Sequence, residues 1–341
     1  MNTAGVHDTL KATVAALIFT LVASGCGSNS NNPAPVVIPQ SSPAVSGTFT
    51  AGIPHGAALD QGASGPDGRT WFAEFNTPAG DAVAAVTAAG VVSTYPTGAF
   101  SQPGAIILGP DNNMWAGGYG PGIHKITPAG VVTNYALPGS HIQSLTLGAD
   151  NTIWFADYGN RTIGKITTAG AITSYPVPAG VVPRSIASGG DGDLWLADPG
   201  NGAIDQYSTA GALLHTYTAG ITSKNIFNII GAPDGNLYAT EDVALAGVGD
   251  HILKISTSGV ITELAALPPL TFPYALAIGK DGNLYFSENN KPNVGRVVLS
   301  TGGVSEFPIV LANEAGTEGI TPGPDGRLWL GGFSTIYALT Y

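Results

Sequence analysis

Seven times along this chain an Asp is followed, four residues later, by an aromatic side chain, at nearly equal intervals. The copies begin Pro66-Asp67-Gly68-Arg69-Thr70-Trp71, Pro110-Asp111-Asn112-Asn113-Met114-Trp115 and Ala149-Asp150-Asn151-Thr152-Ile153-Trp154. Four more follow, at Asp191 with Trp195, Asp234 with Tyr238, Asp281 with Tyr285 and Asp325 with Trp329. Successive Asp positions are 44, 39, 41, 43, 47 and 44 residues apart, the period of a four-stranded propeller blade. The Asp-Gly or Asp-Asn pair turns a hairpin, because Gly and Asn accept positive φ at little cost. The aromatics, which include all five Trp of the chain, fill the wedge between adjacent blades.

A third strand follows each aromatic, as in Thr162–Ile166 or Ile252–Ile255, and then a turn such as Thr127-Pro128-Ala129-Gly130. An outer strand such as Val131–Tyr135 completes the unit. The last copy stops one strand short at Tyr341, while a spare strand, Gly47–Ala51, precedes the first. Pairing the two ends closes the ring and hides both sheet edges. The expected fold is all-β: a seven-bladed β-propeller of four-stranded antiparallel blades over residues 46–341, closed by an N-terminal strand that completes the last blade. It is expected to be a monomer.

Residues 1–25 read as a targeting segment. Lys11 precedes an apolar run, Ala12–Ala23, of about a dozen residues, against the roughly 20 needed to span a bilayer. The run ends in Ala23-Ser24-Gly25-Cys26, which resembles a bacterial lipobox. That resemblance implies cleavage before Cys26 and a lipid on its sulfur, so membrane contact through the anchor only. As the chain's single Cys, it excludes an intramolecular disulfide. Residues 26–45, rich in Pro, Ser and Asn, cannot bury a core and read as a disordered tether. The expected location is the cell envelope; in a Gram-negative host, Gly27 after the Cys suits the outer membrane. The net charge is −11 with no basic cluster, which argues against nucleic acid as a partner.

Propellers bind ligands at the mouth of the central channel. Seven residues before each repeat Asp, where inner strands begin, stand Asp60, Gly104, Gln143, Arg184, Phe227, Tyr274 and Glu318. This varied polar-aromatic set is the candidate ligand site, for a small molecule, a glycan or an envelope protein. Seven residues after each Asp stand Glu74, Gly118, Asp157, Asp198, Glu241, Glu288 and Gly332, acidic in five of seven. Two readings stand for this second ring. Clustered carboxylates suit Ca²⁺ or Mg²⁺; alternatively each accepts backbone N–H bonds from the turn that follows. No metal ligands are assigned. His55 has no evident partner in the repeat, and His124, His141, His215 and His251 show no metal-ligand spacing. No nucleophile-elbow, P-loop, zincin or dinucleotide motif occurs.

The repeated Gly-Pro-Asp-Gly unit at Gly65–Gly68, with Ile163-Gly164-Lys165-Ile166-Thr167 and Ala129-Gly130-Val131-Val132-Thr133, resembles the virginiamycin B lyase (streptogramin lyase) propellers. It is similar, more loosely, to NHL and gluconolactonase-like propellers. The resemblance implies a fold over residues 47–341 and, for the lyases, elimination that opens a cyclic depsipeptide using Mg²⁺ and a His base. The lyases carry a His on the sixth inner strand, Glu-Pro-His-Gly at the seventh, and a metal-binding Glu after the last aromatic strand. Here those columns hold Tyr274, then Gly316-Thr317-Glu318-Gly319, then Phe333. The chemical positions have changed while Gly319 and Trp329 keep the register. The reading favoured is an envelope-anchored, non-catalytic binding module using the channel mouth. The alternatives are a diverged metal-dependent lyase or lactonase-like hydrolase acting through Glu318, Asp60 and Glu74, and a purely structural envelope protein.

Overall fold

The computed structural model describes residues 41–341 except 54–56, 76–80, 99–101, 244–248, 265–266, 312–313 and 315. The targeting segment, Cys26, most of the tether and His55 therefore lie outside the described residues. What is described is all-β: seven four-stranded antiparallel sheets and no helix among the described residues. Six of the sheets run in chain order from an inner to an outer strand. The first comprises Ala58–Ser64, Thr70–Phe75, Asp81–Val86 and Val92–Gly98.

The seventh sheet crosses the chain ends. Ala44–Phe49 pairs antiparallel with Ile336–Thr340, outside Leu328–Gly331 and Gly319–Pro322. The ring is closed as expected, but the closing strand is 44–49 rather than 47–51. It stops at Phe49 because Thr50 begins a turn whose carbonyl accepts from the Ile53 N–H (3.3 Å). It starts early because a bulge between Val45 and Gly47 keeps the pairing going back to Ala44 opposite Thr340.

The repeat Asp does more than turn a hairpin. At the residue after it φ is positive, +77° at Gly68 and +56° at Asn112, as the turn requires. Its carboxylate also accepts from the aromatic four residues on. Indole Nε1–H bonds run from Trp71 to Asp67 (3.2 Å), Trp115 to Asp111 (3.0 Å), Trp154 to Asp150 (3.1 Å), Trp195 to Asp191 (3.3 Å) and Trp329 to Asp325 (3.1 Å). The hydroxyls of Tyr238 and Tyr285 donate to Asp234 and Asp281, both at 2.9 Å. One donor per ring is thus satisfied at the core's edge, and each Trp can be buried without an orphaned N–H. In five blades a cation adds a third layer: Arg69 lies 4.8 Å over the Trp71 ring and Arg327 4.7 Å over Trp329, each also paired with the repeat Asp.

Neighbouring blades interlock through the outer strand. Tyr95 stacks on Trp71 (5.2 Å), Tyr135 on Trp115 (5.5 Å), Tyr175 on Trp154 (5.6 Å) and Tyr217 on Trp195 (5.5 Å). Each outer ring covers a turn glycine of the next blade, as Tyr95 covers Gly130 and Tyr135 covers Gly170. In the seventh blade the N-terminal strand supplies the ring: Phe49 stacks on Trp329 (5.6 Å) and covers Gly90 of the first blade.

Candidate functional site

The mouth side chains are aimed by irregularities that an alternating pattern does not reveal. In five blades the pairing of the inner with the second strand slips where the candidate residue stands. The slips fall between Leu59 and Gly62, Pro103 and Ala105, Ile142 and Ser144, Ile226 and Ile229, and Pro273 and Leu276. A bulge leaves its extra residue unpaired and turns the side chain out of the ladder, here toward the channel axis. Asp60, Gly104, Gln143, Phe227 and Tyr274 all lie within these slips. Arg184 and Glu318 immediately precede their strands, with backbone N–H bonds to Ala197 (3.2 Å) and Gly331 (2.9 Å).

The structure brings five of the six predicted residues to one place. Asp60, Gln143, Arg184, Phe227 and Tyr274, with Gln61, Asn228 and Ala275, line a polar cavity of about 20 Å³. That is room for one water molecule, so the mouth is largely filled by its own side chains. The Arg184 guanidinium lies 5.0 Å over the Phe227 ring, which tilts against Phe272 at 5.0 Å and Tyr274 at 6.3 Å. Among the described residues the Arg184 guanidinium has no hydrogen bond or ion pair. Gly104 leaves room beside Asp60, since a Cβ there would stand 3.3 Å from Oδ2. Glu318 does not line the cavity but acts on it through its charge.

The electrostatics are those of buried acids in short supply of partners. Burial, then the charge of Glu318, pushes Asp60 up to about 8, against the opposing pull of Arg184 and the Gln61 N–H. The Tyr274 hydroxyl is raised by the charge of Asp60 and then by burial. Burial also raises Glu318, against a hydrogen bond from Asn289. With its pKa at about 8, Asp60 is mostly protonated at neutral pH and, like the Tyr274 hydroxyl, is available as a donor beside Arg184. The cavity is donor-rich.

Two further spaces adjoin it. On the mouth side a recess of about 140 Å³ is lined by Tyr158, Val182, Pro199, Asn225 and Ile226, with Arg184 and Phe227 shared with the polar cavity. Inward, the channel widens to about 580 Å³ between Ile106, Leu145, Ile186, Ile229, Leu276 and Ile320. Asn228 lies at this junction, 8% exposed, its Oδ1 without a partner among the described residues.

The second ring serves mainly to build the blades. Asp157 accepts from the His141 N–H (2.8 Å) and the Asn160 N–H (3.2 Å), and Asp198 from those of Val182 (2.7 Å) and Gly200 (2.9 Å). Each ties the chain entering its inner strand to the turn leaving its second strand. Glu241 accepts from the Ser223 N–H, and Glu288 from Asn293 Nδ2 (3.0 Å). The ring's carboxylates do not converge on one point. The only trio of ligand-type atoms within 4.8 Å of one another among the described residues is Glu241, His251 and Glu263, within the fifth blade. Residue spacing hides it, because the three meet across strands.

Comparison with known proteins gives this arrangement a lineage. The sequence model of the virginiamycin B lyase family matches residues 52–248 and 214–336. The chain belongs to the virginiamycin B lyase family. Solved structures agree on the fold. A streptogramin B lyase structure is 25% identical, over 86% of this chain and 96% of that one, with a TM-score of 0.75. Virginiamycin B lyase from Staphylococcus aureus is 24% identical, over 83% and 95%, with a TM-score of 0.74. A catalytically inactive variant of that enzyme, with quinupristin, is 24% identical, over 84% and 96%, with a TM-score of 0.75. No curated protein matches in sequence.

The approach to the seventh blade is closely packed. Position 316 is Gly, and a Cβ there would stand 2.2 Å from the Asn289 carbonyl oxygen, so a longer side chain has no room. Position 333 is Phe, 51% exposed. The Glu314 carboxylate fills the space over Gly332.

Proposed function

We propose that this propeller is a receptor for a small molecule at its channel mouth, displayed on the cell envelope through a lipid on Cys26. The observation that carries the reading is that Arg184 and Phe227 belong to both the donor-rich cavity and the apolar recess. One ligand can therefore seat an apolar group in the recess and an oxygen acceptor against Arg184, protonated Asp60 and Tyr274. A cavity of about 150 Å³ holds a benzene-sized group, which sets the scale of the apolar part. Gly316 and Phe333, where the family resemblance expects metal-binding carboxylates, support binding without Mg²⁺-assisted elimination.

Calorimetric titration with short apolar peptides, their esters and envelope glycans tests this. A ligand that binds wild type and is lost in both Arg184→Ala and Val182→Trp supports the site; one unaffected by either places binding elsewhere. Palmitate labelling of wild type but not Cys26→Ser tests the anchor.

One observation favours a second reading, an acid–base enzyme of lactonase-like or diverged lyase type. Asp60, buried, and Glu318, half-buried, are two carboxyls of one mouth, both raised by burial and Asp60 also by the charge of Glu318, an arrangement more frequent at catalytic sites than elsewhere. Turnover of an ester or lactone that Asp60→Asn and Glu318→Gln abolish, with EDTA harmless, would favour it over simple binding.

A further inference from the structure

The fifth blade carries a group of side chains that blade construction does not call for. Glu241 stands directly opposite His251 on the neighbouring strand, and Glu263 stands opposite Leu253, two residues on from His251. Side chains alternate along a strand, so all three project from one face of the sheet. In the third and fourth blades the carboxylate recurs, as Asp157 and Asp198, and holds backbone N–H groups. The columns matching His251 and Glu263, however, hold Thr162 and Ser174 in one blade, Ala203 and Thr216 in the other. The carboxylate suffices to build a blade. A second carboxylate recurs in the sixth blade, as Glu306 opposite Gly295, but there Asn293 stands in the His251 column. The imidazole between two carboxylates is the addition of the fifth.

Their orientation is fixed from outside. The Ser223 N–H holds one oxygen of Glu241 and the Thr222 hydroxyl one oxygen of Glu263, which leaves the other oxygen of each facing His251. Glu241 Oε2 lies 3.1 Å from Nδ1, a hydrogen bond. Glu263 Oε2 lies 3.9 Å from Nε2, too far for one. With Nδ1–H donated to Glu241, the Nε2 lone pair faces a carboxylate oxygen across that gap, two electron-rich atoms with room for a cation between them.

We propose that His251 Nε2 and Glu263 bind a divalent first-row transition ion of the Zn²⁺ class. Glu241 acts as a positioning residue that sets the imidazole tautomer, as carboxylates do behind metal-bound histidines. Nitrogen and oxygen ligands at about 2.0–2.1 Å on a tetrahedral ion stand about 3.3 Å apart, so the observed gap closes by a fraction of an ångström. The Glu263 side chain is 32% exposed, which opens the site to solvent and lets water complete the coordination. Imidazole with carboxylate favours such ions over Ca²⁺ or Mg²⁺. This site is independent of the mouth reading.

Titration of the full chain with Co²⁺, followed by visible d–d absorption, tests the site. The expected result is a saturable band at one ion per chain, displaced by Zn²⁺ and lost in His251→Gln and Glu263→Gln. Glu241→Gln should weaken binding about 10–100-fold, and His215→Gln should leave it unchanged. Should His251→Gln fail to fold, Glu263→Gln decides alone, since its side chain is partly in solvent. No saturable band in wild type, or a band that survives Glu263→Gln, overturns the proposal.

Discussion

Phe49 lies flat against Trp329, ring centroids 5.6 Å apart and planes 24° from parallel. One residue belongs to the first strand among the described residues and the other to the last sheet. The same phenyl ring covers Gly90 of the first blade, where a Cβ would stand 2.0 Å away. A single side chain thus closes the seventh sheet and locks it onto the first.

Removing that ring should loosen the closure. Phe49→Ala is expected to cost about 1–3 kcal/mol, less than a fully buried Phe because one side meets solvent. Gly90→Ala should destabilise as well, because its φ of +85° disfavours a side chain and the new methyl meets Phe49. Chemical unfolding at equilibrium reads both; an unchanged midpoint for either contradicts the interlock.

The repeat Asp residues predict a loss of stability in acid. Burial pushes Asp325 up, but hydrogen bonds from Trp329 and Arg327 outweigh it and hold the carboxyl below its usual range. Asp67 behaves likewise, with Arg69 and Trp71 as donors. A carboxyl depressed on folding stabilises above its unfolded pKa of about 4 and loses that contribution as pH falls through its folded value. Melting temperature should drop below about pH 4, and Asp325→Asn should flatten part of the drop.

Asp60 predicts the opposite slope at higher pH. Its folded pKa of about 8 lies above the unfolded value, so between about pH 4 and 8 the native state holds more protons and stability falls as pH rises. Glu74 and Glu314, each raised to about 7 with burial the leading cause, add the same sign. Melting curves from pH 5 to 9 should decline less steeply in Asp60→Asn than in wild type.

Arg184 is the nearest counterweight to that burial. In Arg184→Met the Asp60 titration should move above 8, read by carboxyl carbon resonances across a pH series. A downward move would mean that the guanidinium does not act on this carboxyl.

The ring of blades was legible because its signals are local and repeated. An Asp four residues before a Trp sets a turn and supplies a hydrogen-bond acceptor within one hairpin. The mouth residues were found by counting from those Asp positions, and five of six meet in one cavity. Their near-complete filling of the mouth was not readable, because bulges at Asp60, Phe227 and Tyr274 set the direction of each side chain and leave no pattern in composition. The Asp–Trp hydrogen bond was missed although both partners were in view, since spacing gives proximity but not the angle of an indole N–H. Glu241, His251 and Glu263 stayed scattered in the sequence because strand pairing alone brings them together.

The pairing of Ala44 with Thr340 makes the two ends of the folded chain hydrogen-bonding neighbours. The last sheet cannot be finished until nearly every residue is available, so six blades must wait on a seventh whose missing edge was synthesised first. Contacts so distant along the chain slow folding. During that wait the bare edge of Ile336–Thr340 is the segment most prone to capture a strand from another copy.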